Sequence, residues 1–372
     1  MKKVVQVVTQ MEAGGAQRVA MSLSAELSAR GYEDEVWFLY LKRPAFVTEK
    51  RVRCLLSHPP RHIWDYLRIV CRLFAMLLRE RPDVLIAHTH YSNILALPIG
   101  RLLLLRTLIA VQHNPLETYP RAARIVDAWV GAAGAYSVNV TVSSAVRESM
   151  RDRSAAYLRR VRTICNGVQT SVPEELVDGV RSAVQVPEQL SLLVNIGRLA
   201  EQKNQTLLIR MMSKLPNCFL LIVGDGELRE KLRREAAESP AADRIRFLGE
   251  RPSDEALAAA AAADVFVFPS LFEAMPLALI EAMALGAAVV ASDIPATQEF
   301  VGVGDFAAGV LVDSNDPDRF ADAVRQLLSD REYADRLRSN ARRRAAPYTV
   351  GRMADNYIAC WTGAGDGIPI GA

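Results

Sequence analysis

The sequence predicts an α/β fold built from two doubly wound, Rossmann-like domains with a cleft between them. Three observations predict it. The chain has 372 residues, which is too long for one ordinary hydrophobic core. Short apolar runs alternate with helical patterns in both halves of the chain, and strands separated by helices imply parallel βαβ units. A polar stretch at residues 166–190 divides the two halves. Two such domains facing each other would place a ligand at the carboxyl ends of both sheets.

The N-terminal half contains five predicted strands. The first is followed by a glycine turn and a predicted helix at residues 16–29, and a second helix is predicted at residues 63–78. The predicted strands are residues 4–8, 36–41, 84–88, 108–112 and 138–142. Because they are rich in β-branched residues and bounded by polar turns, they are typical of a parallel sheet that is covered on both faces.

The C-terminal half repeats this plan. Its predicted strands are residues 191–196, 218–223, 244–248, 265–268 and 288–291. Predicted helices lie at residues 204–215, 227–238 and 277–285, and the alanine-rich residues 256–263 predict a further helix packed closely on the sheet. The pair Asp316 and Asp318 superficially matches a metal site, but Asp316 before Pro317 is better explained as a helix N-cap. We predict domains at 1–170 and 171–345, with a final helix in 346–372 that packs back towards the first domain.

Composition excludes several classes of protein. Five cysteines lie far apart and form no Cys-x-x-Cys pair, which excludes a zinc knuckle and a disulfide framework and fits a reducing cytosol. The N-terminal apolar run is too short for a signal peptide, and no stretch of about 18 apolar residues predicts a membrane-spanning helix. The net charge of +3 gives no reason to expect nucleic-acid binding.

Gly14 and Gly15 follow the first predicted strand and open a helix. Glycine there lets a phosphate or sugar approach the backbone, and the helix N-terminus favours an anion. A tight strand-to-helix turn explains the pair equally well. No Gly-x-Gly-x-x-Gly follows this strand and no Gly-Lys-Ser/Thr loop is present, so dinucleotide oxidoreductases and P-loop enzymes lose support.

Arg198 and Lys203 follow a buried strand at the start of the next helix. Two cations at that position suit a diphosphate. They would be mildly unfavourable at a helix N-terminus with nothing anionic bound, although a solvated pair remains an alternative.

Glu273 and Glu281 are the strongest signal in the sequence. Glu273 lies in the loop after an apolar strand, and Glu281 lies in a helix whose neighbours are nearly all apolar. A carboxylate in such a helix is costly without a partner, and ribose hydroxyls could donate to it. The alternative is a structural ion pair or a helix cap.

Three histidines lie at the carboxyl ends of predicted strands of the N-terminal domain. His88 ends the predicted strand at residues 84–88 and His90 comes just after it, and His113 follows the strand at residues 108–112. Ligands bind at such ends in doubly wound sheets. No third ligand with zinc-like spacing accompanies them, so we expect no metal site and no cofactor.

Together these motifs resemble the family-4 retaining glycosyltransferases of the GT-B type. The Glu273/Glu281 spacing is the most specific part, and further matches occur in the expected order along most of the chain. They are Gly14-Gly15-Ala16-Gln17-Arg18, Asn166-Gly167-Val168, Gly197-Arg198 with Lys203, and Val223-Gly224-Asp225-Gly226. Two positions depart from the family pattern: Gln169 replaces a commonly acidic residue, and Glu273 is followed by Ala-Met-Pro instead of Gly-Phe.

The resemblance implies that a nucleotide-sugar donor binds the C-terminal domain. Arg198 and Lys203 would clamp its diphosphate. Backbone amides around Met275, Pro276 and Leu277 would reach the phosphates. The family needs no divalent metal, since these groups offset the charge of the leaving group.

The resemblance also implies contacts to the sugars. Glu281 would bind the ribose, and Glu273 would contact hydroxyls of the transferred sugar. His113 matches the active-site histidine beside that sugar. Gly15 would approach the diphosphate from the N-terminal domain, and Gln17 would lie near the acceptor. Retention is usually explained in this family by same-face attack, although the sequence does not exclude a double displacement.

The charge is divided unevenly between the halves. Residues 1–170 carry 24 Lys and Arg against 13 Asp and Glu, a net charge of +11, whereas residues 171–372 have a net charge of −8. We therefore predict that the basic domain associates peripherally with an anionic membrane surface on the inner face of the cell membrane. In the helix at residues 63–78, Asp65, Arg68 and Arg72 fall on one narrow stripe with Arg79. For this helix we favour burial against the sheet with a solvated stripe over membrane contact.

The function predicted from these observations is a cytoplasmic, hexosyltransferase-type enzyme. It would move a sugar from a nucleotide donor, expected to be a UDP-sugar, to a glycan or lipid-linked acceptor in cell-surface polysaccharide or glycolipid synthesis. Alternatives are a sugar-nucleotide epimerase or phosphorylase of the same fold, or a two-lobed solute-binding protein. We expect no nucleic-acid partner.

Overall fold

The computed structural model describes residues 2–12, 14–44 and 51–363. Contacts between residues divide the chain into two compact units. One comprises Met1–Gly167 with the chain from Tyr348 onward, and the other comprises Val168–Pro347. These boundaries lie close to the predicted ones at residues 170 and 345.

The first unit contains a seven-stranded sheet in the order β3-β2-β1-β4-β5-β6-β7, and every strand pair in it is parallel. The strands are β1 (Lys3–Met11), β2 (Glu33–Leu41), β3 (Val52–Cys54), β4 (Val84–His88), β5 (Thr107–Gln112), β6 (Val138–Thr141) and β7 (Val161–Thr163). The helices are α1 (Gly15–Ala29), α2 (Ile63–Glu80), α3 (His90–Leu102), α4 (Arg121–Ala132), α5 (Ser144–Glu148) and α6 (Ala155–Leu158), together with the helix after Tyr348 described below.

The second unit contains a six-stranded parallel sheet in the order β10-β9-β8-β11-β12-β13. Its strands are β8 (Ser191–Ile196), β9 (Cys218–Val223), β10 (Ile245–Gly249), β11 (Val265–Phe268), β12 (Ala288–Ser292) and β13 (Val310–Val312). Its helices are α7 (Glu174–Ala183), α8 (Gln205–Met211), α9 (Arg229–Ala237), α10 (Ser253–Ala261), α11 (Leu277–Ala284), α12 (Pro295–Val301), α13 (Pro317–Ser329) and α14 (Arg331–Ala345).

The ten predicted strands all form, and the prediction of two α/β units with parallel sheets is confirmed. Central strands are buried along their whole length, as β4, β9 and β12 show. Three strands escaped the prediction, namely β3, β7 and β13. Each has three residues and lies at the edge of a sheet, so it carries too little apolar sequence to show a period.

The last helix, α15 (Val350–Thr362), packs on α1 within the first unit. The guanidinium of Arg30 donates to the Gly351 carbonyl at 2.9 Å and pairs with Asp355. Tyr32 and Trp361 meet edge to face with ring centroids 5.8 Å apart. These contacts hold α15 against α1 and the residues that follow it.

One expectation about a helix start is wrong and another is confirmed. Asp65 does not lie on the exposed stripe of α2, because its buried carboxylate accepts from the Arg61 and His62 amides and caps the helix. Asp316 acts as the predicted N-cap, since it accepts from the Arg319 amide at 2.9 Å.

The order of each sheet fixes where a ligand can bind. Successive strands are added in opposite directions on either side of the β1/β4 pair and of the β8/β11 pair. The loops after these strands diverge and leave a crevice at the carboxyl edge of the sheet. In the second unit they are residues 197–204 and 269–276, which contain most of the predicted donor-binding residues.

Candidate active site

Two hydrogen bonds join the loops after β8 and β11, one between two backbone groups and one from a side chain to the backbone. The Leu271 amide donates to the Gln202 carbonyl at 2.8 Å, and the Gln202 side chain donates to the Phe272 carbonyl at 2.8 Å. Gln202 lies in a single 3₁₀ turn, Glu201–Lys203. The turn therefore holds Lys203 at a fixed position relative to Glu273.

Lys203 and Glu273 form an ion pair at this point. The Lys203 ammonium lies 2.5 Å from Oε1 of Glu273, and the two side chains are only 19% and 7% exposed. The ammonium also lies 5.2 Å from the centre of the Phe268 ring, within the range of a cation–π contact. An ammonium has three donors, so Lys203 can hold the carboxylate and still donate to a ligand oxygen.

Glycines let the loop after β8 lie directly against the loop after β9. A Cβ on Gly224, whose φ is +135°, would lie 2.0 Å from the Gly197 carbonyl oxygen. A Cβ on Gly226 would lie 2.4 Å from the Leu199 carbonyl oxygen. The Leu199 amide donates across this contact to the Asp225 carbonyl at 3.1 Å. The Val-Gly-Asp-Gly motif thus supports the backbone that carries Arg198.

Arg198 is exposed at the carboxyl end of β8. Its carbonyl accepts from the buried Gln205 side chain at 3.0 Å, which fixes the backbone and leaves the guanidinium at the surface. Asn204 adopts a left-handed conformation, with φ of +50°, between the 3₁₀ turn and α8. Arg198 and Lys203 therefore both precede α8 at the carboxyl end of β8, and their binding of a diphosphate stays a prediction.

The segment that leads into α11 contains Met275, Pro276 and Leu277. Backbone amides around these residues are predicted to reach the phosphates, and that contact stays a prediction. Pro276 has no N–H, and the Leu277 amide donates to the Met275 carbonyl at 3.0 Å. Pro276 instead caps the helix, with its carbonyl accepting from the Ile280 amide. Glu281 is 3% exposed on the second turn of α11, so the predicted burial of this carboxylate is observed.

In the first unit, α1 begins at Gly15 directly after Gly14, and Gly15 is exposed. Gln17 is buried, and its side-chain amide donates to the backbone carbonyl of Gln10 at 3.1 Å. A Cβ on Gly14 would lie 2.5 Å from Oε1 of Gln17. The glycine pair and Gln17 therefore build a compact strand-to-helix turn, and the contacts predicted for Gly15 and Gln17 with substrates stay predictions.

His113 forms a buried pair with His88. Nδ1 of His88 lies 3.1 Å from Nε2 of His113, and the rings stack with centroids 5.4 Å apart. Burial lowers the pKa of His113 to about 4. Burial, with the neighbouring His113, lowers the pKa of His88 well below its usual 6.5. Both rings are therefore neutral at neutral pH.

His90 lies apart from this pair, between the rings of Tyr91 and Tyr119, at centroid distances of 4.0 and 4.4 Å. Within the described parts of the chain, no group of three His, Cys, Asp or Glu side chains could hold a metal ion. The expectation of a metal-free reaction stays a prediction.

Two family models match this chain and together span most of it. The model "Glycosyltransferase Family 4" matches residues 13–172, and the model "Glycosyl transferases group 1" matches residues 179–344. The chain belongs to the family-4 glycosyltransferases. The predicted enzyme type, a hexosyltransferase-type glycosyltransferase, is thereby confirmed.

Curated relatives and solved structures agree with this membership. The glycosyltransferase is 26% identical to the lipopolysaccharide core biosynthesis glycosyltransferase LpsE of Rhizobium meliloti, over 87% of this chain and 88% of that protein. It is 31% identical to a D-inositol 3-phosphate glycosyltransferase of Corynebacterium urealyticum, over 68% of this chain and 63% of that protein. It spans about half or less of the length of some other curated relatives.

The fold matches that of HepE from Anabaena with a TM-score of 0.84 at 18% identity, over 98% of this chain and all of that chain. It also matches WaaG, a glycosyltransferase of lipopolysaccharide biosynthesis, with a TM-score of 0.75 at 15% identity over 97% of this chain and all of that chain. The predicted GT-B fold class is confirmed.

The sequence analysis missed several residues that shape these sites. Gln202 and Phe268 position Lys203, and Gln6 and Asp34 extend the histidine pair into the sheet. Gln6 alone left a signal, as a polar residue inside the apolar run of β1.

Proposed function

We propose that this enzyme is a retaining glycosyltransferase that moves a sugar from a UDP-sugar to a glycan or lipid-linked acceptor in the synthesis of cell-surface polysaccharide or glycolipid. The observation that carries the proposal is the Lys203–Glu273 ion pair at the β8/β11 crevice. Family membership favours glycosyl transfer over the epimerase, phosphorylase and solute-binding alternatives.

Similar proteins support the donor and the acceptor class. HepE has been crystallised with UDP and glucose and with UDP-glucose, and LpsE and WaaG are named for lipopolysaccharide synthesis. In this chain, Arg198 and Lys203 supply the positive charge that a diphosphate leaving group needs. Glu273 lies beside Lys203, where a sugar attached to that diphosphate would begin.

The proposed reaction balances without a protein nucleophile or a metal. The bond between the anomeric carbon and the phosphate oxygen breaks while the acceptor hydroxyl attacks the same face of the sugar. The hydroxyl proton passes to the leaving phosphate, and UDP departs. Arg198 and Lys203 stabilise the charge that develops on the phosphate, and Glu273 orients the sugar. The role of His113 is proposed separately, from the family resemblance, as a contact to a sugar hydroxyl.

The donor site is tested by calorimetric titration with UDP and with UDP-sugars. Lys203→Met is expected to weaken UDP binding at least tenfold, since a charge-assisted hydrogen bond of about 1.5–3 kcal/mol is lost. Glu273→Gln is expected to retain UDP binding and to lose the extra affinity for the sugar. Lys214, an exposed lysine of the same unit that pairs with Asp318 at 3.4 Å, supplies the matched control Lys214→Met.

Equal UDP affinity in native protein and Lys203→Met would disprove the donor site. The stereochemistry is tested separately by NMR of the product. An anomeric configuration opposite to that of the donor would exclude retention.

We also propose that a basic, aromatic face of the first unit docks on an anionic membrane. For α2 this replaces the expectation of a helix that presents only a solvated stripe, because Trp64 and its apolar neighbours are exposed. On α2, Trp64 is 73% exposed beside Ile63 and Leu67, and on α4 Trp129 is 75% exposed beside Ile125. Exposed arginines accompany them. These are Arg61, Arg68, Arg72, Arg79 and Arg121.

Both helices contact α3, so they lie on the same side of the sheet. The buried stripe of α2 is limited to Asp65, Ile69, Leu73 and Leu77, which leaves the apolar side chains at its start uncovered within the described structure. Exposed tryptophans among arginines suit the headgroup region of an anionic bilayer. No helix among residues 2–12, 14–44 and 51–363 is long and apolar enough to cross a bilayer.

Vesicle co-sedimentation tests this surface. The protein is expected to bind vesicles that contain phosphatidylglycerol, more strongly at low than at high salt, and to bind neutral vesicles weakly. Trp64→Ser with Trp129→Ser should abolish binding. Val303→Ser with Phe306→Ser is the matched control, because these exposed apolar residues belong to the second unit. Unchanged binding by the tryptophan variant would overturn the proposal.

A further inference from the structure

Four buried polar side chains form a continuous hydrogen-bonded chain that ends at His113. The Gln6 amide nitrogen donates to Oδ2 of Asp34 at 3.0 Å. Nε2 of His88 lies 2.8 Å from Oε1 of Gln6, and Nδ1 of His88 lies 3.1 Å from Nε2 of His113. Asp34, Gln6 and His88 are at most 1% exposed.

The chain crosses four neighbouring strands. Asp34 lies on β2, Gln6 on β1, His88 at the end of β4, and His113 directly after β5, and these strands are adjacent in the order β2-β1-β4-β5. Asp34 is level with Val4, and His88 is level with Val8.

Each step therefore moves two residues towards the carboxyl edge, as does the last, since His88 is level with Val111. A shift of two residues keeps a side chain on the same face of a sheet. The hydrogen-bonded chain therefore runs diagonally across one face of the sheet. It begins at Asp34, near the amino end of β2, and ends at the carboxyl edge, where ligands bind in such sheets.

The hydrogen-bond chemistry gives this chain a direction. An ionised carboxylate only accepts, so it fixes the amide of Gln6 with nitrogen towards Asp34 and oxygen towards His88. The oxygen accepts the Nε2 proton of His88, which leaves Nδ1 of that neutral ring as an acceptor. Nδ1 then accepts the Nε2 proton of His113. We infer that Asp34 and Gln6 set the tautomer of His113, with the proton on Nε2 and the lone pair on Nδ1.

The pKa values agree with this direction. Burial holds His88 and His113 neutral, so each ring carries one proton and has a defined tautomer. Burial also raises the pKa of Asp34 to about 7. Hydrogen bonds from Ser24 and Gln6 oppose this shift, as does Arg51, and Glu35 adds to it. The carboxylate is ionised above this pH, and a protonated Asp34 could donate and reverse the chain.

This inference rests on the proposed function for its consequence. A neutral His113 with its lone pair on Nδ1 can accept a hydrogen bond from a hydroxyl of the transferred sugar, whereas the other tautomer would present a donor there. Asp34, Gln6 and His88 are then positioning residues. None of them needs to touch the substrate.

The direct test is two-bond ¹H–¹⁵N NMR of protein labelled with ¹⁵N-histidine, at pH 8.5 without substrate. His88 and His113 are both expected as the Nε2–H tautomer, assigned with His88→Gln and His113→Gln. An Nδ1–H tautomer at either ring in native protein would overturn the inference, whatever the activity.

Variants separate the chain from general stability. In Asp34→Asn the side chain can donate or accept, so the Nδ1–H form of His113 should become detectable and kcat/KM should fall about tenfold or less. Asp83→Asn is the matched control, since Asp83 is a carboxylate of the same unit that accepts from the Lys3 amide, at 2.9 Å. An unchanged tautomer in Asp34→Asn would refute the role of the carboxylate. Full transfer by His113→Gln would refute the proposed contact with the sugar and leave the tautomer assignment standing.

Discussion

The Lys203 ammonium and the Glu273 carboxylate lie 2.5 Å apart, although the two residues are 70 positions apart in the sequence. The strand order makes this contact, because β8 and β11 are neighbours and both chains leave the sheet at the same edge. The cation that we propose binds the phosphate and the carboxylate that we propose contacts the sugar are thus held in one fixed arrangement.

This ion pair is expected to stabilise the second unit. Lys203→Met leaves a carboxylate that is 7% exposed without its partner, so the free energy of unfolding should fall by about 1–3 kcal/mol. Urea unfolding of Lys203→Met, Glu273→Gln and the double variant gives the coupling energy. Lys214→Met, which breaks an exposed pair, should change stability by less than about 0.5 kcal/mol. Strictly additive effects of the two substitutions would show that the pair is not coupled.

Gly224→Ala is expected to destabilise the second unit by at least about 2 kcal/mol. The new Cβ would lie 2.0 Å from the Gly197 carbonyl oxygen, and the φ of +135° is unfavourable for alanine. Thermal unfolding measures the effect. Gly179→Ala is the matched control, because Gly179 lies in α7 with no atom near its Cβ position and should gain about 0.5–1 kcal/mol. Similar melting temperatures for the two variants would contradict this account.

Gly167→Ala is expected to loosen α15 from the first unit. Its Cβ would lie 2.4 Å from the Cα of Val350, and backbone cannot move aside as a flexible side chain can. Faster amide hydrogen exchange in α15, with a loss of stability of about 1–3 kcal/mol, is the expected result. Gly351→Ala is the matched control. Gly351 lies in α15, and the nearest atom to its Cβ position is 3.5 Å away, so the substitution should leave exchange unchanged. Unaltered exchange in Gly167→Ala would show that the glycine of the Asn-Gly-Val motif is not required for the close packing of α15.

The histidine pair predicts that the first unit loses stability in acid. Folded His113 has a pKa of about 4 and His88 a lowered one, so between pH 6.5 and 4 the unfolded chain binds more protons than the folded chain. The free energy of unfolding therefore falls as the pH falls through this window, by about 3 kcal/mol for His113.

Asp34, with its pKa raised to about 7, acts in the opposite sense and stabilises the fold towards acid. Urea unfolding at pH 7.5 and pH 5 is the measurement. His113→Gln should reduce the loss on acidification, and Asp34→Asn should increase it. Equal pH dependence in native protein and His113→Gln would contradict the lowered pKa.

The sequence by itself determined the α/β class, the ten strands of four or more residues and the family. Buried strands must be continuously apolar when both faces of a sheet are covered, so β9 and β12 were visible as runs without alternation. Family motifs are local in sequence, which is why Arg198, Lys203, Glu273 and Glu281 could be named from short matches.

Only the tertiary structure decided what these residues contact. Three features depend on which strands are neighbours. They are the pairing of Lys203 with Glu273, the close backbone contact that leaves no room for a Cβ on Gly224, and the hydrogen-bonded chain from Asp34 to His113. Strand order leaves no trace in local periodicity, because any parallel order buries the same apolar runs. Asp34 stands between Glu33 and Glu35 in the sequence, and only the pairing of β2 with β1 brings it against Gln6.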